Sequence, residues 1–165
     1  MTTQTETNDQ FCINFCREKL TKEYFNKISA CMKLLSDDDI WWRAHETNNS
    51  VGNLILHLTG NVRQWIVQYL GGNEFQRNRV KEFSERNKIS GKELSVMLES
   101  ALNDAGKVLE KFPLENLKKQ YTIQNFTVTG LEAILHVTEH FSYHVGQIVY
   151  ITKLRTGKDL QFYNL

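Results

Sequence analysis

The stretch TGLEAILHVTEHFSYHVGQIVYITKLRTG, residues 129–157, decides the fold. Thr129 followed three residues later by Glu132 is a capping box, in which a hydroxyl and a carboxylate answer the free N–H groups at a helix start. Gly157 is a stop, and Pro is absent between these two points. Ala133, Val137, Phe141, Ile148 and Ile151 recur at helical spacing, so the segment reads as one long helix to about Arg155. His136, His140 and His144 stand four apart on it. Each step of four turns about 40° and rises about 6 Å, so the three imidazoles share one stripe that faces or borders the core.

Three more helices lie upstream. Ser50 is an N-cap for a helix carrying Leu54, Ile55, Leu58, Val62, Trp65, Ile66 and Tyr69, and Gly71-Gly72 ends it. Ser90-Gly91-Lys92-Glu93 is a second capping box, followed by a stripe from Leu94 to Leu109 that Pro113 stops. Phe11, Phe15, Leu20, Tyr24, Ile28, Met32 and Leu35 define a helix from about Asp9 to Leu35. Between the helices, Asp37-Asp38-Asp39 reads as a solvated linker, without the spacing of a calcium loop. Trp41 and Trp42 read as core or interface anchors. Arg77 to Lys88 reads as a surface loop with a turn of helix, and Tyr121 to Val128 as extended or a single short strand. Four helices of about 20 residues each give an all-α four-helix bundle, one domain over residues 1–165.

Composition sets limits on function. Lys plus Arg number 20 and Asp plus Glu 19, a balance that argues against a nucleic-acid platform or a polybasic membrane binder. No apolar run approaches the roughly 20 residues of a membrane span, and Met1 to Gln10 lacks the order of a signal peptide. A cytoplasmic protein is expected. Cys12, Cys16 and Cys31 are odd in number and clustered, which fits reduced core thiols better than a disulfide framework.

The histidines carry the chemical signal. Imidazoles at i and i+4 on a helix can close on one metal ion. His57, on the second helix among Leu54, Ile55, Leu58 and Asn61, is also on an inward face. Neutral imidazoles from two helices suit Zn, Ni, Fe or Cu, and spacing does not choose among them. A single core histidine on an apolar face is ordinarily just hydrogen-bonded; four of five on two inward faces is not ordinary. Tyr143 and Glu139 flank the stripe, and Arg63 and Gln64 are pocket donors or plain surface. No phosphate-cradling glycine loop and no G-x-S-x-G elbow occurs.

Residues 50–66, SVGNLILHLTGNVRQWI, resemble the second helix of the DinB-like (DinB/YfiT) superfamily. Residues 136–148, HVTEHFSYHVGQI, resemble its closing H-x-x-x-H motif followed by G-Q. The resemblance spans nearly the whole chain and is closest to a bacterial branch of the superfamily. It implies a four-helix bundle with a divalent metal held by one histidine of the second helix and two of the fourth, here His57, His140 and His144. His136 falls at a position usually outside the ligand set, where stacking or an outer hydrogen bond is expected. It stands about 12 Å along the axis from His144, too far to share an ion easily. Family members with known activity are transferases or isomerases dependent on a low-molecular-weight thiol, and dimers are common among them.

The combined expectation is a divalent-metal-dependent enzyme, a thiol S-transferase of detoxification or stress response, with Zn or Ni as the metal. Three protein ligands leave open positions for a cosubstrate. Its partners are a small-molecule substrate, the thiol and a second copy of the chain, with no nucleic acid and no membrane. Asn61, Gln64 and Tyr143 are candidate positioning groups. The rival readings are a metal-dependent hydrolase, which needs a carboxylate base near the ion, and a non-enzymatic metal- or ligand-binding bundle.

Overall fold

The computed structural model describes residues 6–86 and 89–162. The first long helix runs without a break through Asn8–Glu18, a π-helical stretch Lys19–Tyr24 and Phe25–Met32. The second comprises Val51–Val62 and a π-helical continuation, Arg63–Leu70. The third is Gly91–Glu110 and the fourth Gly130–Thr156. The first helix packs on the third and fourth, and the second packs on the same two, so the ring runs first, third, second, fourth. Ile13, Leu20, Leu58, Ile66, Leu94 and Phe141 are fully buried between them. Each such side chain contributes about 1.5–3 kcal/mol by leaving water. Among the described residues no helix is long and apolar enough to cross a membrane.

The caps expected from the sequence form. The hydroxyls of Ser50, Ser90 and Thr129 accept from the backbone N–H three residues on, and Asn53, Glu93 and Glu132 return the bond. Gly157 takes a left-handed conformation, φ 66°, and ends the fourth helix. Past the second helix it is Gly72 that turns left-handed, φ 69°, while Gly71 bonds back to Ile66.

Three connections differ from expectation. Asp37–Trp41 is a short helix, not a linker: Ser36 and Asp39 make a fourth capping box, and Asp39 also receives Arg155 at 2.8 Å. Three acidic residues at a helix start are favoured by the backbone dipole. The extended segment is not a lone strand but a hairpin, Gln120–Ile123 paired antiparallel with Phe126–Thr129, and Ile123 plugs its inner face. Gln124 makes the tight turn with φ 58°. The segment from Arg77 carries a helix, Arg79–Ser84, and is not only surface, because Arg77 and Glu82 bury their side chains. Asn87 and Lys88 lie outside the described residues.

Trp41 is a core anchor, 7% exposed, with its indole N–H on the Ile89 carbonyl at 2.9 Å. Its ring lies so close to Gly52 that a Cβ there would sit 2.8 Å from it. Trp42 lies under the Arg155 guanidinium, 4.9 Å from ring centre to carbon. Cys16 and Cys31 are buried free thiols and Cys12 is half-buried. Burial pushes the Cys16 and Cys31 thiols up, which keeps them protonated and unreactive.

Candidate metal centre

The fourth helix buries Val137, Phe141, Val145 and Ile148, which fixes its rotation and turns His140 and His144 toward the second helix. His57 comes from that second helix and is buried to 5% exposure. One ring nitrogen from each of His57, His140 and His144 lies within 4.8 Å of the others. The Nε2 atoms of His57 and His140 are 2.8 Å apart. His57 meets His140 and His144 edge-on, with ring centres at 4.9 and 5.2 Å.

Outer contacts orient two of these rings. His57 Nδ1 lies 2.9 Å from Glu82 Oε2 and 3.1 Å from Arg77 Nη2. Because Arg77 already spends its N–H groups on Glu82, we assign the His57 Nδ1 proton to the bond with the carboxylate, which only accepts. Its Nε2 is thereby left as a lone pair facing the cluster. His144 Nδ1 donates to Gln147 Oε1 at 2.7 Å, which leaves its Nε2 unprotonated as well. Such outer acceptors fix tautomer and ring orientation and raise ligand basicity.

Glu82 is itself held. Arg77 forks onto it, Nε to Oε1 at 2.7 Å and Nη2 to Oε2 at 2.8 Å. Burial alone would raise the Glu82 carboxyl, but Arg77 and His57 hold it below the usual carboxylate range. Arg77 Nη1 donates to Gln64 Oε1 at 3.1 Å, and Gln124 at the hairpin turn donates to the same oxygen at 2.8 Å. The short helix is tied down by Asn53, whose amide donates to the carbonyls of Glu82 and Glu85 at 2.9 and 3.2 Å. Thus the cap of the second helix also clamps the segment that supports His57. Phe83 closes over the His57 ring at 4.7 Å.

Burial, then the neighbouring His144 and His57, holds His140 far below the ordinary histidine value, at about 3. His144 is lowered too, chiefly by burial. His57 and His144 turn lone pairs inward, and His140 Nε2 carries the hydrogen of its 2.8 Å contact with His57 Nε2. With that proton moved to Nδ1, His140 too is a neutral ligand, and the donor set fits a divalent first-row ion.

Other sequence candidates fall into place around the cluster. His136 is exposed and stacks on Trp65 with ring centres 4.2 Å apart; it is outside the three-nitrogen cluster. Asn61, one turn beyond His57, is 3% exposed, and its Oδ1 has no hydrogen-bond partner among the described residues. Gln64 positions Arg77. Tyr143 is 66% exposed, with its ring edge-on to His144 at 5.0 Å. Glu139 is exposed. Glu82 and Arg77 are residues of the candidate site that sequence reasoning missed: they sit in a charged, Gly- and Pro-free stretch that resembles any solvated loop. The one available signal was a buried histidine needing a partner for its second nitrogen.

A helical bundle with three histidines converging from its second and fourth helices has the DinB-like fold. Solved structures bear this out. A conserved protein from Enterococcus faecalis superposes with a TM-score of 0.70 at 15% identity, over 88% of this chain and 97% of its own. A DinB-like protein from Bacillus subtilis, YjoA, gives 0.67 at 19% identity, over 92% and 98%. A DinB-like protein from Bacillus cereus gives 0.66 at 12%, over 86% and 91%. Identities this low establish the fold alone. No curated protein gives a significant match. The family model described as "Protein of unknown function (DUF1572)" matches residues 10–165, and the chain belongs to that family.

Proposed function

We propose that His57, His140 and His144 hold one divalent metal ion, Zn or Ni, and that the protein is a metal-dependent thiol S-transferase acting on a small electrophile. The observation that carries this reading is the convergence of three imidazoles, two of them locked by outer acceptors. A divalent ion with open positions supplies Lewis-acid chemistry, lowering the pKa of a bound thiol. The protein's own part is orientation and exclusion of water. Glu82 and Gln147 aim the ligand nitrogens, Arg77 keeps Glu82 ionised, and Phe83 shields the His57 ring. Asn61, Gln64 and Tyr143 are positioning groups in this reading, and the nucleophile comes from the cosubstrate, not from half-buried Cys12 or the buried Cys16 and Cys31.

The hydrolase alternative is less well supported. Its base would have to be a free carboxylate beside the ion, but Glu82 is committed to Arg77 and His57, and Glu139 is exposed on another face. A structural metal would favour a closed four-ligand site, whereas among the described residues the cluster has three donors. We further read the chain as one domain that acts in the cytoplasm as a homodimer. Exposed Phe11, Phe15 and Tyr150 support self-association.

The test is metal analysis of protein purified without chelators or a polyhistidine tag, followed by thiol-transfer assays with and without that metal. Metal at one per chain and metal-dependent thiol consumption support the proposal. Metal without turnover of any thiol supports the binding-bundle alternative.

A further inference from the structure

Charge compensation around the centre is uneven. Arg77 is answered by Glu82, and Arg155 by Asp39. Arg43 is not answered in this way: its Nη1 is shut off from water and has no hydrogen-bond partner among the described residues. Arg86 acts on it as a second positive charge, against which Glu46 is the counter-charge; burial and Arg86 together lower the Arg43 guanidinium's own affinity for its proton. A guanidinium nitrogen left without an acceptor is costly, and an oxyanion relieves it through paired, charge-assisted bonds.

Arg43 lines a cavity of about 360 Å³, together with Trp42, Asn48, Asn49, Gln147 and Tyr150. That volume suits a small molecule. Asn48 and Asn49 bring side-chain amides, which donate to oxyanions. The cavity also shares a wall with the histidine cluster. Gln147 both lines it and accepts the His144 Nδ1 proton, and Leu54, another lining residue, is one turn ahead of His57.

We propose that this cavity is the binding site of a small anionic substrate, gripped at Arg43 through a carboxylate or phosphate group. A ligand anchored there extends past Gln147 toward His144, so its anionic end is fixed while its other end reaches the three imidazoles. That last orientation rests on the proposed metal function; the anion site itself does not.

The test uses metal-free full-length protein, titrated separately with succinate and with inorganic phosphate by calorimetry, for wild type, Arg43→Gln and Arg43→Lys. Wild type is expected to bind at least one of the two. Arg43→Gln weakens that binding at least about tenfold, and Arg43→Lys, which keeps charge but not the planar fork, falls between. Binding of succinate alone identifies a carboxylate, and binding of phosphate alone a phosphate group. Thermal unfolding in anion-free buffer is the second readout. Because Arg43 Nη1 has no acceptor among the described residues, Arg43→Gln should unfold no earlier than wild type, and the anion should raise the midpoint most in wild type, less in Arg43→Lys and least in Arg43→Gln. Equal affinity in wild type and Arg43→Gln, no binding by either probe, or a markedly lowered midpoint for Arg43→Gln overturns the proposal. Metal analysis of the same variants separates the two readings. Arg43-dependent anion binding in a protein that takes up no metal removes the metal function alone. Metal uptake without Arg43-dependent binding removes the anion site alone.

Discussion

Glu82 Oε2 lies 2.9 Å from His57 Nδ1, and both side chains are more than nine-tenths buried. The pair joins residues 25 apart in the chain. It sets which His57 nitrogen carries the proton and which faces the cluster. Arg77 completes the unit by neutralising Glu82 inside the protein, where an unpaired carboxylate would be strongly disfavoured.

Replacing Glu82 by Gln should retain most of the fold while weakening metal affinity about 10–100-fold, the usual effect of losing an outer carboxylate. Glu82→Ala should do more harm, lowering stability by about 3–5 kcal/mol because Arg77 is left buried and unpaired. Competitive metal titration and denaturant unfolding of both variants check this.

Among the histidines, alanine at His57, His140 or His144 should abolish stoichiometric metal binding. His136→Ala should keep most of it, since its ring stacks on Trp65 outside the cluster. Metal content after dialysis is the measurement, and loss with His136→Ala as severe as with His140→Ala would remove the assignment.

Acid should destabilise the metal-free protein. Folded His140 resists protonation down to about pH 3, and His144 is lowered in the same direction. In the unfolded chain both take up protons from about pH 6.5 downward. The unfolded state then binds more protons, so stability is complete above about pH 6.5 and falls as pH drops below it. The denaturant midpoint should decrease between pH 7 and pH 5, and His140→Gln should flatten that decrease.

Gly60→Ala should damage the centre from the opposite side of Glu82. A Cβ at Gly60 would collide with Glu82 Oε1 and stand 2.9 Å from its Cδ. Glu82 is held by three bonds to Arg77 and His57 and cannot swing aside without breaking them. A stability loss of about 1–3 kcal/mol is expected from the overpacking. Metal affinity should fall with it, whereas a remote core substitution of equal cost should leave affinity intact.

The hairpin should also matter to the centre, through Gln124 on Gln64 and Gln64 on Arg77. Gln64→Leu should weaken metal binding severalfold, by less than Glu82→Gln does, because Arg77 keeps its fork on Glu82. Titrating metal into both variants side by side ranks the two effects.

The sequence alone determined the four long helices, and for the second, third and fourth it also determined where they start, because those starts are written locally, in Ser50, Ser90 and Thr129; the Thr7 cap of the first was not read from it. It also determined that His140 and His144 share a stripe and that His57 faces inward, since helical periodicity is a short-range property. Tertiary structure alone decided how the segment from Arg77 to Ser84 folds. Its helix is short and its apolar content slight, so no local pattern distinguishes it from a solvated loop. It is held by Asn53 reaching across to its carbonyls and by His57 donating to Glu82, bonds that exist only once the second helix is in place. Asp37–Trp41 is an intermediate case: its start is local, in Ser36 and Asp39, and tertiary structure adds the Arg155 bond from the far end of the chain onto Asp39. A buried charge is tolerated only where an opposite charge meets it, and which charges meet is set by the packing of distant segments, not by their neighbours in sequence.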